Sequence, residues 1–158
     1  MSGEAERVHG TAIAVGSRAV LIRGPSGSGK SDLALRCLGL GVSAIAREPI
    51  KLVADDQVLL KHEDTGVRVS APPSLRGMLE VRGIGILEVD PIAEATLVLV
   101  ADLTRDDLIE RYPDPWPSAY ILGFDIPVLH LSPFEDSSAL KLVAAISMAP
   151  PPRIVPKA

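Results

Sequence analysis

The chain has 158 residues, of which 47% are hydrophobic and 23% charged, with a net charge of −4. This length and composition predict one globular domain with a single buried core. The weakly acidic balance, with no basic stripe along the sequence, argues against nucleic acid as a partner.

Three further features concern the compartment. The single cysteine, Cys37, cannot form an internal disulfide, which is typical of a reducing compartment. Met1–Arg7 is polar and does not resemble a signal peptide. The longest apolar run, Ala95–Ala101, is far shorter than the roughly 20 residues that span a bilayer. We therefore predict a cytoplasmic protein that does not associate with membranes.

The first elements are a hairpin and a helix. Thr11–Val15 and Ala19–Arg23 are short apolar runs on either side of a turn that begins at Gly16, which predicts a β-hairpin. A glycine-rich segment follows. Ser31–Leu40 has apolar residues at helical spacing, and Gly39 supplies a stop.

Further strands follow the first helix. Five runs with strand-like composition are Lys51–Ala54, Val58–Lys61, Val67–Ser70, Ala95–Ala101 and Ile126–Leu131. We expect the first of them to end at Asp55-Asp56. Leu79–Val89 is also apolar but is interrupted at Gly83-Ile84-Gly85.

The C-terminal part contains a loop and a second helix. Arg111–Ser118 is proline-rich and is predicted as a loop of functional character. Ser132-Pro133-Phe134-Glu135 has the pattern of a capping box, which predicts a helix from there to about Ser147. Strands alternating with two helices indicate one α/β domain over residues 1–149, followed by a proline-rich tail over 150–158.

The glycine-rich segment matches the phosphate-binding pattern G-x-x-x-x-G-K-[ST] in full. Its residues are Gly24, Pro25, Ser26, Gly27, Ser28, Gly29, Lys30 and Ser31. In this pattern glycines let backbone N–H groups curl towards phosphate oxygens, the lysine reaches the β- and γ-phosphates, and the last hydroxyl holds Mg²⁺. The alternative is a glycine-rich turn that binds nothing, but the predicted strand before it and helix after it favour a P-loop.

The P-loop alone does not distinguish a kinase from a GTPase, an ATPase or a sensor. No Asn-Lys-x-Asp guanine-binding segment is present. Asp55-Asp56 follows a buried strand, where one carboxylate can lie beside the metal and another can accept a proton. A turn or a helix cap is an equally good interpretation of this pair. His9, at the start of the hairpin, is by itself an ordinary surface or core histidine.

Taken together, these segments resemble the HPr kinase/phosphorylase family, bacterial enzymes that phosphorylate a serine of the carrier protein HPr. The resemblance runs from about His9 to Ile146. Besides the P-loop, the segments that carry it are His9-Gly10, Leu52-Val53-Ala54-Asp55-Asp56, Ala71-Pro72-Pro73 and Leu79-Glu80-Val81-Arg82-Gly83-Ile84-Gly85-Ile86-Leu87. The last of these is similar to the family signature.

The resemblance implies catalytic roles for four residues. Asp55 matches the family's proton acceptor in phosphorylation, which is the proton donor in the reverse reaction. His9 and Lys30 match active-site positions near the phosphates, and Arg111 matches a catalytic arginine. Such a site suits a serine hydroxyl, which needs a carboxylate to take its proton while cations neutralise the developing charge.

The resemblance also implies a fold and cofactors. Ser31 and Glu80 match the family's Mg²⁺ positions, and Asp56 lies where it supports the metal or its waters. The implied cofactors are ATP and Mg²⁺. The implied fold is a P-loop kinase domain with a mixed sheet, related to phosphoenolpyruvate carboxykinase.

The sequence departs from the family pattern in several places. Family members usually carry an N-terminal domain of comparable size, which this sequence does not include. The segment Glu88–Glu94 is shorter than its family counterpart and lacks an arginine. Pro133–Asp136 carries Glu135 and Asp136 where the family has a basic stretch linked to dephosphorylation. We therefore expect little phosphorylase activity. The C-terminal helical region is also shorter than in the family. The sequence is therefore compatible with a homo-oligomer but does not predict the family's assembly.

Three functions are compatible with this sequence. The first is a protein-serine kinase that acts on HPr or an HPr-like carrier of the phosphotransferase system. The second is a small-molecule P-loop kinase, although no long lid segment is evident. The third is a nucleotide-binding regulator without transfer activity, acting as a partner of a sensor histidine kinase. The presence of Lys30, Asp55 and Glu80 favours an active enzyme.

Overall fold

A computed structural model of the chain describes residues 4–150 and 153–155. This part of the chain contains ten strands and two α-helices. The strands are β1 Glu6–Val15, β2 Arg18–Arg23, β3 Ile50–Glu63, β4 Gly66–Ser70, β5 Met78–Val81, β6 Gly85–Glu88, β7 Glu94–Leu103, β8 Ser118–Ile121, β9 Phe124–Leu131 and β10 Arg153–Ile154. The helices are α1 Lys30–Leu38 and α2 Ser138–Met148, and short 3-10 turns occur at Pro73–Leu75 and Asp106–Leu108.

Eight strands form one mixed sheet in the order β10-β9-β7-β2-β1-β3-β4, with β8 also paired to β9. Strand β2 is parallel to β7, which is parallel to β9, and the hairpin partners are antiparallel. Strand β4 pairs in addition with the start of β7. The five strands β7, β2, β1, β3 and β4 therefore close on themselves, while β5 and β6 form a separate hairpin.

Two apolar cores lie on opposite faces of this sheet. Successive residues of a strand point to opposite faces, so Ile13 and Ala14 of β1 belong to different cores. The first core contains the apolar faces of α1 and α2, with Leu33 and Leu142 fully buried. The second is lined by the strands, and Phe124 of β9 is its largest fully buried side chain.

The hairpin, the first helix and the single mixed α/β domain are confirmed. Thr11–Val15 pairs antiparallel with Arg18–Ile22, and α1 begins one residue before Ser31. The strands β4, β7 and β9 contain the predicted runs Val67–Ser70, Ala95–Ala101 and Ile126–Leu131. Burial raises the pKa of Cys37 in α1 to about 12, against the smaller opposing effect of Arg36.

The predicted end of a strand at Asp55-Asp56 is wrong. Strand β3 runs without interruption from Ile50 to Glu63, because β1 pairs with it along the whole length of β1. Its partners change from Ala12–Ala54 to Ile13–Leu52, so Val53 is an extra residue of the kind that forms a β-bulge. Asp56 takes a left-handed conformation with φ 68°. The two carboxylates therefore lie inside a bent strand.

The predicted start of the second helix is also wrong. Residues Ser132–Glu135 precede α2, which begins only at Ser138. The Ser138 hydroxyl donates to the Ser132 carbonyl oxygen at 2.6 Å and accepts from the Glu135 backbone N–H at 3.0 Å. These bonds satisfy the turn without a helix, so Ser138, and not Ser132, is the hydroxyl that organises it.

Two strands lie where sequence analysis predicted loop or tail. Strand β8 begins at Ser118, the last residue of the predicted proline-rich loop, and the hairpin with β9 uses Leu122 and Gly123, both with positive φ. Strand β10 lies within the predicted tail over 150–158 and pairs with Phe124 and Asp125. Residues 151–152 and 156–158 of that tail lie outside the described residues. Within residues 4–150 and 153–155, neither helix has the length and apolar character of a membrane-spanning segment.

Helix α2 offers a direct test of the first core. We expect Leu142→Ala, at a fully buried position, to reduce the free energy of unfolding by about 2–5 kcal/mol. Leu140→Ala, in the same helix at a position 42% exposed, is the matched control and should cost less than about 1 kcal/mol, since surface changes are small. Urea unfolding followed by circular dichroism measures both. Equal losses for the two variants would contradict the packing of α2 described here.

Candidate active site

The glycine-rich loop lies between β2 and α1, where the P-loop pattern predicts it. Strand β2 ends at Arg23, and α1 begins at Lys30 with Gly29 as its N-terminal cap. Gly27 and Gly29 have φ of 79° and 100°, in the left-handed region that favours glycine. The loop therefore turns sharply and continues directly into the N-terminus of α1. Backbone N–H groups in a glycine-rich turn before a helix are an arrangement that binds phosphate.

Lys30 lies within this loop and is only 7% exposed. Its Nζ atom donates hydrogen bonds to the carbonyl oxygens of Gly24 at 2.8 Å and Pro25 at 2.9 Å. These bonds hold a buried cation against the loop, since an ammonium group has three donors and needs partners when buried. One donor remains for an anion in the loop.

A bidentate ion pair holds the start of the loop to the neighbouring parallel strand. Arg23 donates to both carboxylate oxygens of Asp102, at 2.7 and 2.9 Å. Hydrogen bonding to Asp102 raises the pKa of Arg23 above its ordinary value, although partial burial acts in the opposite direction. Because Arg23 immediately precedes Gly24, this pair anchors the first residue of the loop to the end of β7.

Asp55 is the centre of the hydrogen-bond network beside the loop. Its Oδ1 atom accepts from the Ser31 hydroxyl at 2.8 Å and from the Thr11 hydroxyl at 2.9 Å. Its Oδ2 atom accepts from the Glu80 backbone N–H at 3.1 Å. Asp55 is 6% exposed, so the protein supplies three donors for a carboxylate that is largely removed from water.

His9 and Asp56 form a second, more exposed pair. The Nδ1 atom of His9 lies 3.3 Å from Oδ1 of Asp56, and the two side chains are 54% and 63% exposed. The residues are brought together by the pairing of β1 with β3, in which Gly10 is opposite Asp56. At Gly10 a Cβ atom would lie 2.9 Å from the Ile22 carbonyl oxygen. Glycine at this position therefore lets β1 pass close to β2 beside the His9–Asp56 pair.

These groups surround one cavity of about 750 Å³. The loop, α1, β1, β3, the β5–β6 hairpin and the turn before α2 all contribute to its wall. Its lining residues are His9, Thr11, Ser26, Gly27, Gly29, Lys30, Ser31, Asp32, Asp55, Asp56, Glu80, Val81, Arg82, Gly83, Gly85 and Phe134.

The structure brings most of the predicted site residues together in this cavity. His9, Asp55 and Asp56 come from paired strands, and Glu80 comes from β5 and has an exposed side chain. Arg111 is different: it is exposed in the loop between the 3-10 turn at Asp106–Leu108 and β8, and it is not among the residues that line the cavity.

Sequence analysis did not select several residues of the cavity as site residues, among them Thr11, Arg82 and Phe134. Thr11 is a lone hydroxyl within an apolar strand, a signal that can be seen in the sequence once β1 is placed beside β3. Phe134 approaches the loop closely enough that a Cβ atom at Gly29 would lie 3.1 Å from its ring. This contact follows from tertiary packing, which sequence spacing does not reveal.

The cavity is also the candidate site for a metal ion. Among residues 4–150 and 153–155, no group of three or more His, Cys, Asp or Glu side chains is arranged to hold a metal ion. Mg²⁺ in nucleotide sites is commonly bound by one or two protein oxygens together with substrate phosphates and water. The Ser31 hydroxyl, at the end of the P-loop, is an oxygen ligand of this kind, and the carboxylates of Asp56 and Glu80 belong to residues that line the same cavity.

The fold and this site define a P-loop α/β domain with a carboxylate centre beside the loop. A family model, HPr Serine kinase C-terminal domain, matches residues 2–100. The chain belongs to this family.

Curated relatives carry the name HPr kinase/phosphorylase. The protein of Geobacillus sp. (strain WCH70) is 43% identical over 113 residues, which cover 66% of this chain and 34% of the relative. That of Variovorax paradoxus (strain S110) is 35% identical over 124 residues, which cover 73% of this chain and 36% of the relative. The matched region thus spans about a third of the length of these relatives.

A solved structure shows the same fold. The Hpr(Ser) kinase/phosphatase from Coxiella burnetii superposes with a TM-score of 0.72 at 23% sequence identity, covering 90% of this chain and 88% of that chain. The mixed α/β architecture predicted from sequence is confirmed by this likeness.

The geometry of Lys30 leads to a prediction for nucleotide binding. We expect Lys30→Ala to weaken binding of Mg·ATP by about 10-fold or more, because hydrogen bonds to charged groups contribute about 1.5–3 kcal/mol. Lys51→Ala is the matched control, since Lys51 pairs with Asp90 and does not line the cavity. Isothermal titration measures both affinities, and circular dichroism checks the fold. Unchanged affinity in Lys30→Ala would remove Lys30 from the phosphate site.

Proposed function

We propose that the chain is an ATP- and Mg²⁺-dependent kinase that phosphorylates a serine of HPr or an HPr-like carrier protein. The observation that carries this proposal is the position of Asp55. Its carboxylate is hydrogen-bonded to Ser31 of the P-loop and lies in the same cavity as Lys30. The family membership and the relatives' names support HPr as the acceptor.

The proposed chemistry is transfer of the γ-phosphoryl group to a serine hydroxyl. The bond from the serine oxygen to phosphorus forms as the bond from the γ-phosphorus to the β–γ bridging oxygen breaks, and ADP leaves. The serine proton moves to the Asp55 carboxylate, since an unassisted hydroxyl is a poor nucleophile. Lys30 and the loop N–H groups bind the phosphates. Ser31 and Glu80, with support from Asp56, would hold Mg²⁺, which would neutralise phosphate charge.

We propose that His9 and Arg82, at the exposed edge of the cavity, are within reach of the carrier protein. Both line the cavity and both are exposed, so a protein acceptor reaches them without opening the core. His9 with Asp56 lies at the end of the site nearest β1 and β3. Arg111 does not line the cavity, and the catalytic role that we propose for it from the family resemblance requires its loop to move towards the site.

We further propose that the kinase direction dominates over phosphorolysis. Phosphorolysis brings inorganic phosphate and a phosphoserine, both anions, into one site, and basic side chains lower the cost of this approach. The residue that Pro133–Asp136 contributes to the cavity lining is Phe134, which is not basic. The Glu135 carboxylate lies 3.1 Å from Lys141 of α2 and does not line the cavity.

The test incubates the chain with labelled ATP, Mg²⁺ and a purified HPr-like protein, and maps the modified residue by mass spectrometry. Phosphoserine on the carrier supports the proposal. Label transferred only to small molecules would favour a small-molecule kinase, and nucleotide binding without transfer would favour a regulator. A parallel reaction with the phosphorylated carrier and millimolar phosphate measures pyrophosphate release. Release as fast as the forward reaction would contradict the proposed direction.

The role of Asp55 gives a specific prediction. Asp55→Asn preserves shape but cannot accept a proton, so kcat should fall by about 10²–10⁴-fold, the usual contribution of general-base catalysis. Asp90→Asn is the control, since Asp90 is exposed and pairs with Lys51. Steady-state kinetics with the carrier measures both variants. A normal kcat for Asp55→Asn, combined with a large loss of nucleotide affinity, would show that Asp55 binds metal and is not the base.

A further inference from the structure

The network around Asp55 contains a residue that the proposed mechanism does not use. Four polar or charged residues of the described chain are buried, namely Thr11, Lys30, Asp55 and Ser138. Ser138 organises the turn before α2, and Lys30 and Asp55 belong to the site. Thr11 remains. It is 0% exposed, in the middle of a strand whose following residues Ala12, Ile13 and Ala14 are all buried and apolar.

The position of Thr11 is set by the sheet and not by the P-loop. In the pairing of β1 with β3, Thr11 is directly opposite Asp55. Its hydroxyl donates to Oδ1 of Asp55 at 2.9 Å. Ser31 donates to the same oxygen at 2.8 Å, but from the first turn of α1, next to the glycines of the loop. Thr11 is therefore the donor that depends on the paired strands alone.

The two oxygens of Asp55 are not equivalent. A carboxylate oxygen has two lone-pair sites, and Oδ1 accepts from both Thr11 and Ser31. Oδ2 accepts only from the Glu80 backbone N–H among the residues described. Oδ1 is thus saturated by two hydroxyl donors, while Oδ2 keeps one lone pair for a further proton.

We infer that Thr11 is a positioning residue that saturates Oδ1 of Asp55 and so directs Oδ2 towards the incoming acceptor proton. The inference rests on the proposed role of Asp55 as base. Without the Thr11 hydroxyl, Oδ1 loses the hydrogen-bond donor that β1 supplies. The carboxylate can then rotate, because only the hydrogen bonds from Ser31 and Glu80 remain. The phosphate contacts proposed for Lys30 do not depend on this bond, because Lys30 is held by the carbonyl oxygens of Gly24 and Pro25.

The test compares two substitutions of the same residue. Thr11→Val keeps the β-branched shape and removes the hydroxyl, whereas Thr11→Ser keeps the hydroxyl and removes a methyl group. With the carrier protein as acceptor, we expect Thr11→Val to lower kcat by about 10-fold or more, the range of one hydrogen bond to a charged group. Its KM for Mg·ATP should stay close to that of the unsubstituted chain, whereas its thermal midpoint should fall, because the buried Asp55 carboxylate loses one donor. Thr11→Ser should retain a kcat within about 3-fold, as expected if the hydroxyl is the group that acts.

Two results would overturn the inference. An unchanged kcat in Thr11→Val would show that Asp55 does not need this donor. A loss of kcat in Thr11→Ser as large as in Thr11→Val would show that any change of this side chain lowers the rate, and that the hydroxyl is not the group that acts. If Thr11→Val does not fold, Thr11→Ala compared with Thr11→Ser isolates the hydroxyl in the same way.

A structural measurement separates this inference from the proposed function. Crystal structures of Thr11→Val and Thr11→Ser should show the Asp55 carboxylate rotated in the first variant and unchanged in the second. If the chain phosphorylates no carrier, the proposed function fails, and the rotation still decides whether Thr11 positions Asp55. An identical Asp55 orientation in both crystals would overturn the inference whatever the activity.

Discussion

The site depends on one buried carboxylate that three separate segments hold in place. Asp55 accepts hydrogen bonds from Thr11 of β1, Ser31 of α1 and the backbone of Glu80 in β5. Burying an isolated carboxylate is costly, so each donor offsets part of that cost. The same bonds connect the sheet, the P-loop helix and the β5–β6 hairpin. Asp55, the proposed base, thereby also connects the segments that form the walls of the cavity.

The shape of the sheet explains why this arrangement is available. Strand β3 is long, has an extra residue at Val53, and has Asp56 in a left-handed backbone conformation. The two adjacent aspartates therefore have different surroundings. Asp55 is buried against Thr11 and Ser31, whereas Asp56 is exposed beside His9. Parallel pairing of β2 with β7 places Asp102 against Arg23 and anchors the loop from the other side. The P-loop is thus held between two carboxylates on different strands, Asp102 at its start and Asp55 at its end.

Much of the fold and the site could be predicted from sequence where the signal is local. The P-loop pattern depends on spacing within eight residues, and the hairpin before it depends on one turn. Both can therefore be predicted from sequence, together with the strand before the loop and the helix after it. The strand end at Asp55-Asp56 and the helix start at Ser132 were wrong for a common reason. Local turn and cap signals were outweighed by long-range pairing of β3 with β1 and by the Ser138 hydroxyl. Thr11 was missed because a threonine in a strand has no significance until the residue opposite it is known, and the contact of Phe134 with the loop depends on packing between distant segments.

The central claim is that phosphates enter the loop at Lys30 while Asp55 stays fixed by the sheet. The most direct measurement is a crystal structure of the chain with Mg²⁺ and a non-hydrolysable ATP analogue. We expect the Lys30 ammonium to contact phosphate oxygens, Ser31 to contact the metal, and Asp55 to remain bonded to Thr11. A nucleotide bound elsewhere, with Lys30 still held only by Gly24 and Pro25, would contradict the account, as would an Asp55 that has left Thr11.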